Sequence, residues 1–159
     1  MRGATIGDNS LLSWKLALNA NKNLIVGANS IIDTDKIDLR GSKVIINDNV
    51  IINKKCEIIR VSHYIDDNHS YTTRQFDDLI IDSYSWVATG SVILPQVSLL
   101  DKGTVTGAFS VLTKNTQENG IYAGNPAKFK RLHNTKFDQL VTCSLQGCDL
   151  MFYIKARLQ

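Results

Sequence analysis

The sequence has no apolar run approaching the length of a membrane span, and no basic, apolar, small-residue leader opens it. A cytoplasmic protein without a membrane span is the expectation that follows. Excess charge is also small: 18 Lys and Arg against 15 Asp and Glu leave +3, too little to argue for a nucleic-acid partner. Paired cysteines are absent. Cys56, Cys143 and Cys148 are an odd number without metal-finger spacing, which fits a reduced chain, although an oxidant has Cys143-x4-Cys148 to bridge. The 159 residues, 43% hydrophobic and 21% charged, suffice for one soluble domain with a sizeable core. The basic charge is uneven, because Lys128, Lys130, Arg131 and Lys136 crowd one short stretch. Charge alone leaves two readings open, a solvated basic surface or a site for a multiply charged phosphate ligand.

What the chain does have is a repeat. Ile81, Val87, Ile93, Leu99, Val105 and Val111 follow one another at six-residue steps, as do Ile46, Ile52 and Ile58, with shorter pieces at Val26–Ile32 and Ile6–Leu12. A helix repeats near 3.6 and a half-buried strand at 2, so six needs another account. Four places after each aliphatic residue stands a small or apolar one: Ser10, Ser30, Val50, Cys56, Ser85, Ser91, Val97, Gly103 and Phe109. Between them lie Gly7-Asp8-Asn9, Gly27-Ala28-Asn29 and Asn47-Asp48-Asn49, rich in residues that tolerate left-handed corners. Each hexad then reads as a short strand plus a turn, and three hexads close a triangular coil of about 18 residues. Coils stack at roughly 4.8 Å, so the aliphatic residues form interior ladders.

The repeat stops between Ile58 and Ile81, where HYIDDNHSYTTRQFDDL reads as a loop thrown out from the solenoid. It stops again after Val111, and Gly124-Asn125-Pro126 marks a turn. The expected layout is one domain, 1–159. It comprises N-terminal β-helix coils over 1–62, a protruding loop over 63–79, C-terminal coils over 80–115, and a turn and tail over 116–159. A short helix is expected at 127–133. Over 135–159 helical spacing (Phe137, Leu140, Val141, Leu145) and a strand-like MFYIK stand side by side. MRGATIGDN begins almost inside a repeat with no separate capping element, which fits a truncated N-terminus.

Three segments carry a family resemblance: VSHYIDD at 61–67, SWVATGSVILPQV at 85–97, and VTGAFSVLTKN…IYAGNPAKFKR within 105–131. Over roughly residues 24–132 the chain resembles the hexapeptide-repeat acetyltransferases, among them the colanic-acid and maltose/galactoside O-acetyltransferases. The AGNPAK turn after a GA-x-S-x-x-TK coil is the most specific part. The resemblance implies an all-β fold, a left-handed parallel β-helix with one protruding loop and a short helical or irregular C-terminal tail. It also implies acetyl-CoA as acetyl donor, a sugar or glycan acceptor such as a polysaccharide precursor or small glycoside, and a homotrimer with active sites between subunits. The sequence departs from the family by placing Asp82, Ala88, Leu94 and Leu100 where Gly usually follows the aliphatic residue, and Pro95-Gln96 for Pro-Gly. LLDKGTV is one residue longer, which predicts a bulged corner near Lys102.

Acetyl transfer from a thioester to a hydroxyl needs a base for the hydroxyl proton, and imidazole titrates in the right range. A lone histidine is more often a surface or core residue. His63, however, matches the family's catalytic histidine and stands 23 residues before Trp86, with loop and repeat in the family's order. By the same resemblance the Thr89 N–H is the oxyanion donor, Trp86 flanks the thioester, and Gly107 and Ala108 line the pantetheine arm. Thr113, Lys114, Lys128 and Arg131 meet the adenosine phosphates. Asp33 and, in the loop, Asp66 are candidate acceptor ligands; Asp67 and His69 either join them or decorate a solvated loop. Cys56 points inward at its hexad position and reads as core, so transfer is direct.

Three other readings stand beside this one. The same base serves an N-acetyltransferase of a nucleotide-linked amino sugar. A zinc enzyme of the γ-carbonic-anhydrase type shares the β-helix but needs three clustered histidines, and His133 lies beyond the repeat, so no metal is expected. A degenerate, non-catalytic scaffold is the remaining class.

Overall fold

The computed structural model describes residues 3–65, 71–75 and 77–136, and within them nearly every element is a strand of two to five residues. Two-residue strands separated by four-residue corners are what the hexads dictate. The first coil contains β1 (Thr5–Ile6), β2 (Leu11–Leu12) and a short helix α1 (Trp14–Asn19). The second contains β3 (Leu24–Val26), β4 (Ile31–Ile32) and β5 (Lys36–Ile37). The third contains β6 (Val44–Ile46), β7 (Ile51–Ile52) and β8 (Glu57–Ile58). A hairpin, β9 (Val61–Ile65) and β10 (Tyr71–Gln75), then leaves the solenoid. The fourth coil is β11 (Leu79–Ile81), β12 (Trp86–Val87) and β13 (Val92–Ile93). The fifth is β14 (Leu99–Leu100), β15 (Val105–Thr106) and β16 (Val111–Leu112). The antiparallel strands β17 (Gly120–Ala123) and β18 (Lys128–Leu132) close the end.

Stacked parallel strands make three sheets, the sides of a prism: β1-β3-β6-β11-β14 (side one), β2-β4-β7-β12-β15-β17-β18 (side two) and β5-β8-β13-β16 (side three). We number the corners by the sides they follow, so corner one joins sides one and two, corner two joins sides two and three, and corner three returns to side one. Corner one is a column of left-handed residues, Asn9, Asn29, Asn49, Tyr84, Gly103 and Asn119, each with positive φ. Asn tolerates this backbone region better than most side chains, and successive levels are joined, as in Asn29 N–H to Asp8 C=O and Asn49 N–H to Ala28 C=O, both 2.9 Å.

The interior is filled by Val26, Ile32, Ile46, Ile52, Ile58, Ile81, Val87 and Ile93, all buried. The small residues four places on serve a second purpose. Corner carbonyls face inward, where an unpaired acceptor is costly, and hydroxyls reach the next coil to meet them. Ser30 Oγ donates to Asn47 O (2.9 Å), Thr34 Oγ1 to Cys56 O (2.6 Å) and Ser91 Oγ to Gly107 O (2.9 Å).

Four features differ from the sequence expectation. Thr5 pairs with Ile25 and Ile25 with Ile45, so the early coils take 20 residues instead of 18. Beyond Ile93 the inner ladder slips by one: Leu100, Thr106 and Leu112 are buried, whereas Leu99, Val105 and Val111 face outward and are only part-buried. The extra residue sits at Ser98–Leu99, not near Lys102. There Asn115 Oδ1 accepts both N–H groups at 2.9 and 3.1 Å. Phe109 consequently occupies a corner with φ +56° and is exposed. The expected helix at 127–133 is instead the strand β18, because pairing with β17 satisfies its backbone. Finally, α1 replaces a third strand in the first coil; Ser13 caps it and Leu16 and Ala20, one turn apart, bury against the core. The expectations for residues 137–159 lie outside the described residues.

Candidate active site

Corner two collects most of the predicted site residues, one level above another. Its first positions, each following an inward residue, are Asp33, Asn53, Ala88 and Gly107 in coils two to five. Asp33 forms an ion pair with Lys54 at 3.7 Å, both partners well exposed. Trp86, pointing outward from β12, donates its indole N–H to Asn53 Oδ1 at 2.6 Å. That bond fixes the ring beside corner two at the level of coils three and four. Thr89 follows on the same corner, its carbonyl accepting the Phe109 N–H at 2.9 Å, while no acceptor for its own N–H stands among the described residues. The Phe109 ring lies over Gly90, where a Cβ would meet it at 2.5 Å.

Gly107 is held by its N–H to Tyr122 O (2.7 Å), and a Cβ there would stand 2.9 Å from the Ala123 Cβ. A side chain at 107 is therefore excluded by the protein itself, which leaves backbone lining this level. Above it the 124–127 turn crosses from side two to side three: Val111 N–H bonds Gly124 O (3.0 Å) and Ala127 N–H bonds Val111 O (2.8 Å). This crossing roofs a cavity of about 390 Å³ that Thr113, Lys114, Tyr122, Pro126, Lys128 and Phe129 help to line. Tyr122 and Phe129 meet edge to face, with ring centroids 5.7 Å apart. Two ammonium groups on a partly apolar wall are suited to a phosphorylated ligand with a flat aromatic part. Arg131 is not in that wall. It pairs with Ile121 at the end of side two, and its guanidinium turns to Leu132 O at 3.1 Å.

His63 lies elsewhere. It sits on β9 opposite Thr73 and is exposed, on the hairpin that leaves corner three between coils three and four. One chain therefore places the candidate base and the Trp86–Thr89 level on different corners. Asp66, Asp67 and His69 lie outside the described residues. Cys56 is buried with its thiol toward Ala88 O (3.1 Å); burial pushes its pKa up, which keeps it a neutral thiol. Among the described residues no cluster of His, Cys, Asp or Glu is arranged to hold a metal, and no helix is long and apolar enough to cross a membrane.

Reading the sequence missed Asn53 and Arg60. Asn53 was within reach, since it is the residue after an inward Ile, the position shared by Asp33 and Gly107. Arg60 is fully buried among the apolar coils, and its signal was a cation two residues after Ile58.

The stacked coils, protruding hairpin and roofed end have the fold of the hexapeptide-repeat acetyltransferases. No family model matches the sequence. A candidate acetyltransferase of Saccharomyces cerevisiae is 30% identical over 125 residues, 78% of this chain and 63% of the relative, so the chain spans less than two thirds of that protein. Among solved structures, a variant of the N-acyltransferase AntD from Bacillus cereus, in complex with dTDP and coenzyme A, superposes with a TM-score of 0.67 at 18% identity. That match covers 91% of this chain and 81% of the other. A maltose O-acetyltransferase from Clostridium difficile gives 0.63 at 24% identity, covering 83% and 67%. A hexapeptide-repeat-containing acetyltransferase from Vibrio cholerae, complexed with acetyl coenzyme A, gives 0.57 at 19%, covering 83% and 61%. The sequence relative and these structural neighbours are all acetyl- or acyltransferases, with both O- and N-transfer among the neighbours.

Proposed function

We propose that this protein is an acetyl-CoA-dependent O-acetyltransferase acting on a sugar hydroxyl of a glycan precursor or small glycoside, as a homotrimer whose sites form between subunits. The observation that carries the proposal is the arrangement of the prism's corners and sides. Sides one and two both present apolar residues outward: Ile25, Ile45, Ile80 and Leu99 on one, Leu11, Ile31, Ile51, Trp86 and Val105 on the other. Side three turns Lys36 and Glu57 outward in its first half. Two apolar sides meeting at corner one favour a closed ring in which side one of each subunit covers side two of the next. That packing sets corner three against the neighbour's corner two. Rotation about an axis parallel to the solenoid keeps levels matched, so His63, between coils three and four, arrives at the level of Trp86 and Asn53.

In this site His63 takes the acceptor hydroxyl's proton as oxygen attacks the thioester carbonyl, and returns it to the departing sulfur. The Thr89 N–H is the donor for the carbonyl oxygen as it gains charge. Gly107 and Ala108 provide a smooth backbone track toward the cavity, where Thr113, Lys114 and Lys128 take phosphate groups. Asp33 and Lys54, below the thioester level, are placed for acceptor hydroxyls. Bound acetyl-CoA supplies the activated acyl group.

The test is acetyl release from acetyl-CoA against a panel of sugars, oligosaccharides and nucleotide-linked amino sugars; transfer confined to amino groups would replace the O-transfer reading. His63→Ala should then lower turnover about 10²–10⁴-fold with coenzyme binding retained. Mixing denatured His63→Ala chains with chains carrying Ala108→Trp, a bulky change at an exposed position of the same corner, and refolding them together should restore activity in about one site in four. Two inactive variants that stay inactive after mixing would place the whole site in one subunit. Absence of any thermal shift with millimolar acetyl-CoA would favour a non-catalytic scaffold.

A further inference from the structure

The hairpin that carries His63 is attached at corner three, and its attachment is unusual for a protein interior. Arg60, the residue immediately before β9, is fully buried. Its Nε donates to Ser42 Oγ at 3.1 Å, Nη1 to Val97 O at 2.7 Å, and Nη2 to Asp77 O. These three acceptors belong to three different passes of the chain. Ser42 is on the corner entering coil three, Val97 on the corner leaving coil four, and Asp77 on the segment by which the hairpin returns. A planar guanidinium spreads its donors over three nitrogens in a rigid fork and so reaches three separated points at once, whereas an ammonium's three donors radiate from a single atom. Burial works against the charged guanidinium, and Asp78, Asp77 and Asp38, the last also paired with Arg40, oppose that cost.

The return segment is fastened a second time, because Asp78 Oδ1 accepts the Lys43 N–H at 2.7 Å. On the departing side, a Cβ at Gly41 would meet Val61 Cγ2 at 3.0 Å and Arg60 O at 3.2 Å, so the corner below packs directly under the hairpin's root. None of these contacts lies on corner two. Among the described residues the other passes of corner three turn without a buried cation, whereas this pass has 20 residues between Ile58 and Leu79.

We propose that Arg60 is the positioning residue of the active site, clamping both feet of the hairpin so that the imidazole three residues on is presented at a fixed level and angle to the neighbouring subunit. This rests on the reading of His63 as general base. Arg60 touches no reacting atom; its part is to limit the hairpin's motion about its root, since misplacing a base by about 1 Å costs of the order of 10²-fold in rate.

Hydrogen–deuterium exchange on the full chain tests the clamp without any acceptor. In Arg60→Met, exchange over residues 61–77 should rise by about tenfold or more, while the coils at 44–58 and 99–112 stay within about twofold of wild type. Arg60→Lys, which keeps the charge but not the fork, should fall between. Exchange that is unchanged at 61–77, or that rises equally throughout the solenoid, overturns the proposal. The latter outcome assigns Arg60 to general stability. Should Arg60→Met not fold, the same comparison is made with Arg60→Lys alone.

Kinetics separates this clamp from the base assignment. With an acceptor from the panel, Arg60→Met should lower kcat about 10–100-fold with KM for acetyl-CoA unchanged. The same substitution in a His63→Ala background should cost less than about threefold, because the residue it positions is gone. Equal losses in both backgrounds overturn the clamp. Full activity of His63→Ala itself overturns the base assignment, whatever the exchange data give.

Discussion

A residue's neighbours, more than its type, decide what it does along this solenoid. Lys128 and Arg131 look alike in sequence, three places apart in one basic run, yet only Lys128 reaches the cavity under the 124–127 turn, while Arg131 lies over side two. The run therefore divides into a cavity-lining cation and a surface one. Charge reversal should separate them: Lys128→Glu raises the apparent KM for acetyl-CoA by about tenfold, the scale of one lost charge-assisted contact. Arg131→Glu should change it by less than about threefold. Steady-state kinetics at low ionic strength reads both, and equal effects would return Arg131 to the phosphate site. The contrast between Trp86 and Asn53 has the same origin. The tryptophan is conspicuous in the sequence and Asn53 holds a recognisable hexad position, but the bond between them, 33 residues apart, exists only once coils are stacked.

At the scale of the element, the period of six was legible and its phase was not. An inward and an outward aliphatic ladder run side by side through Leu99/Leu100 and Val111/Leu112, so a one-residue insertion leaves the hexad spacing apparently intact while exchanging the two faces. Leu100→Ala should cost about 2–5 kcal/mol, as for a buried leucine truncated in a packed core. Leu99→Ala should cost less than about 1.5 kcal/mol in the separated subunit. Urea unfolding of the two variants measures this, and a larger loss at Leu99 would restore the unshifted register. The strand β18 was misread as helix for a related reason. Local propensity spoke for residues 127–133 alone, but the unpaired edge of β17 offered a ladder of hydrogen bonds that a helix there would leave open.

For the whole molecule, the proposed trimer has neighbouring subunits cover the apolar outer sides. Ile51 lies within side two, between Ile31 and Trp86, and its side chain points away from the core. Ile51→Glu should leave the coil intact, since the change is on an outer face, yet separate the subunits and remove activity together. Sedimentation equilibrium paired with the acetyl-transfer assay checks both consequences. A variant that stays trimeric, or a monomer with full turnover, would contradict the inter-subunit site.

From the order of residues alone came the solenoid, the place of the protruding segment, the matching of His63, Trp86 and the AGNPAK turn to one family pattern, and the inward character of Cys56. These are local or periodic properties, and a linear chain displays them directly. Stacking decided the rest: the inner register after Ile93, the hydroxyls that meet corner carbonyls one coil away, the pairing of Trp86 with Asn53, and the grip of Arg60 on three passes of the chain. Each depends on which residues lie above one another. That in turn follows from the number of residues a coil takes at its corners, a quantity set by closing the prism rather than by any single hexad.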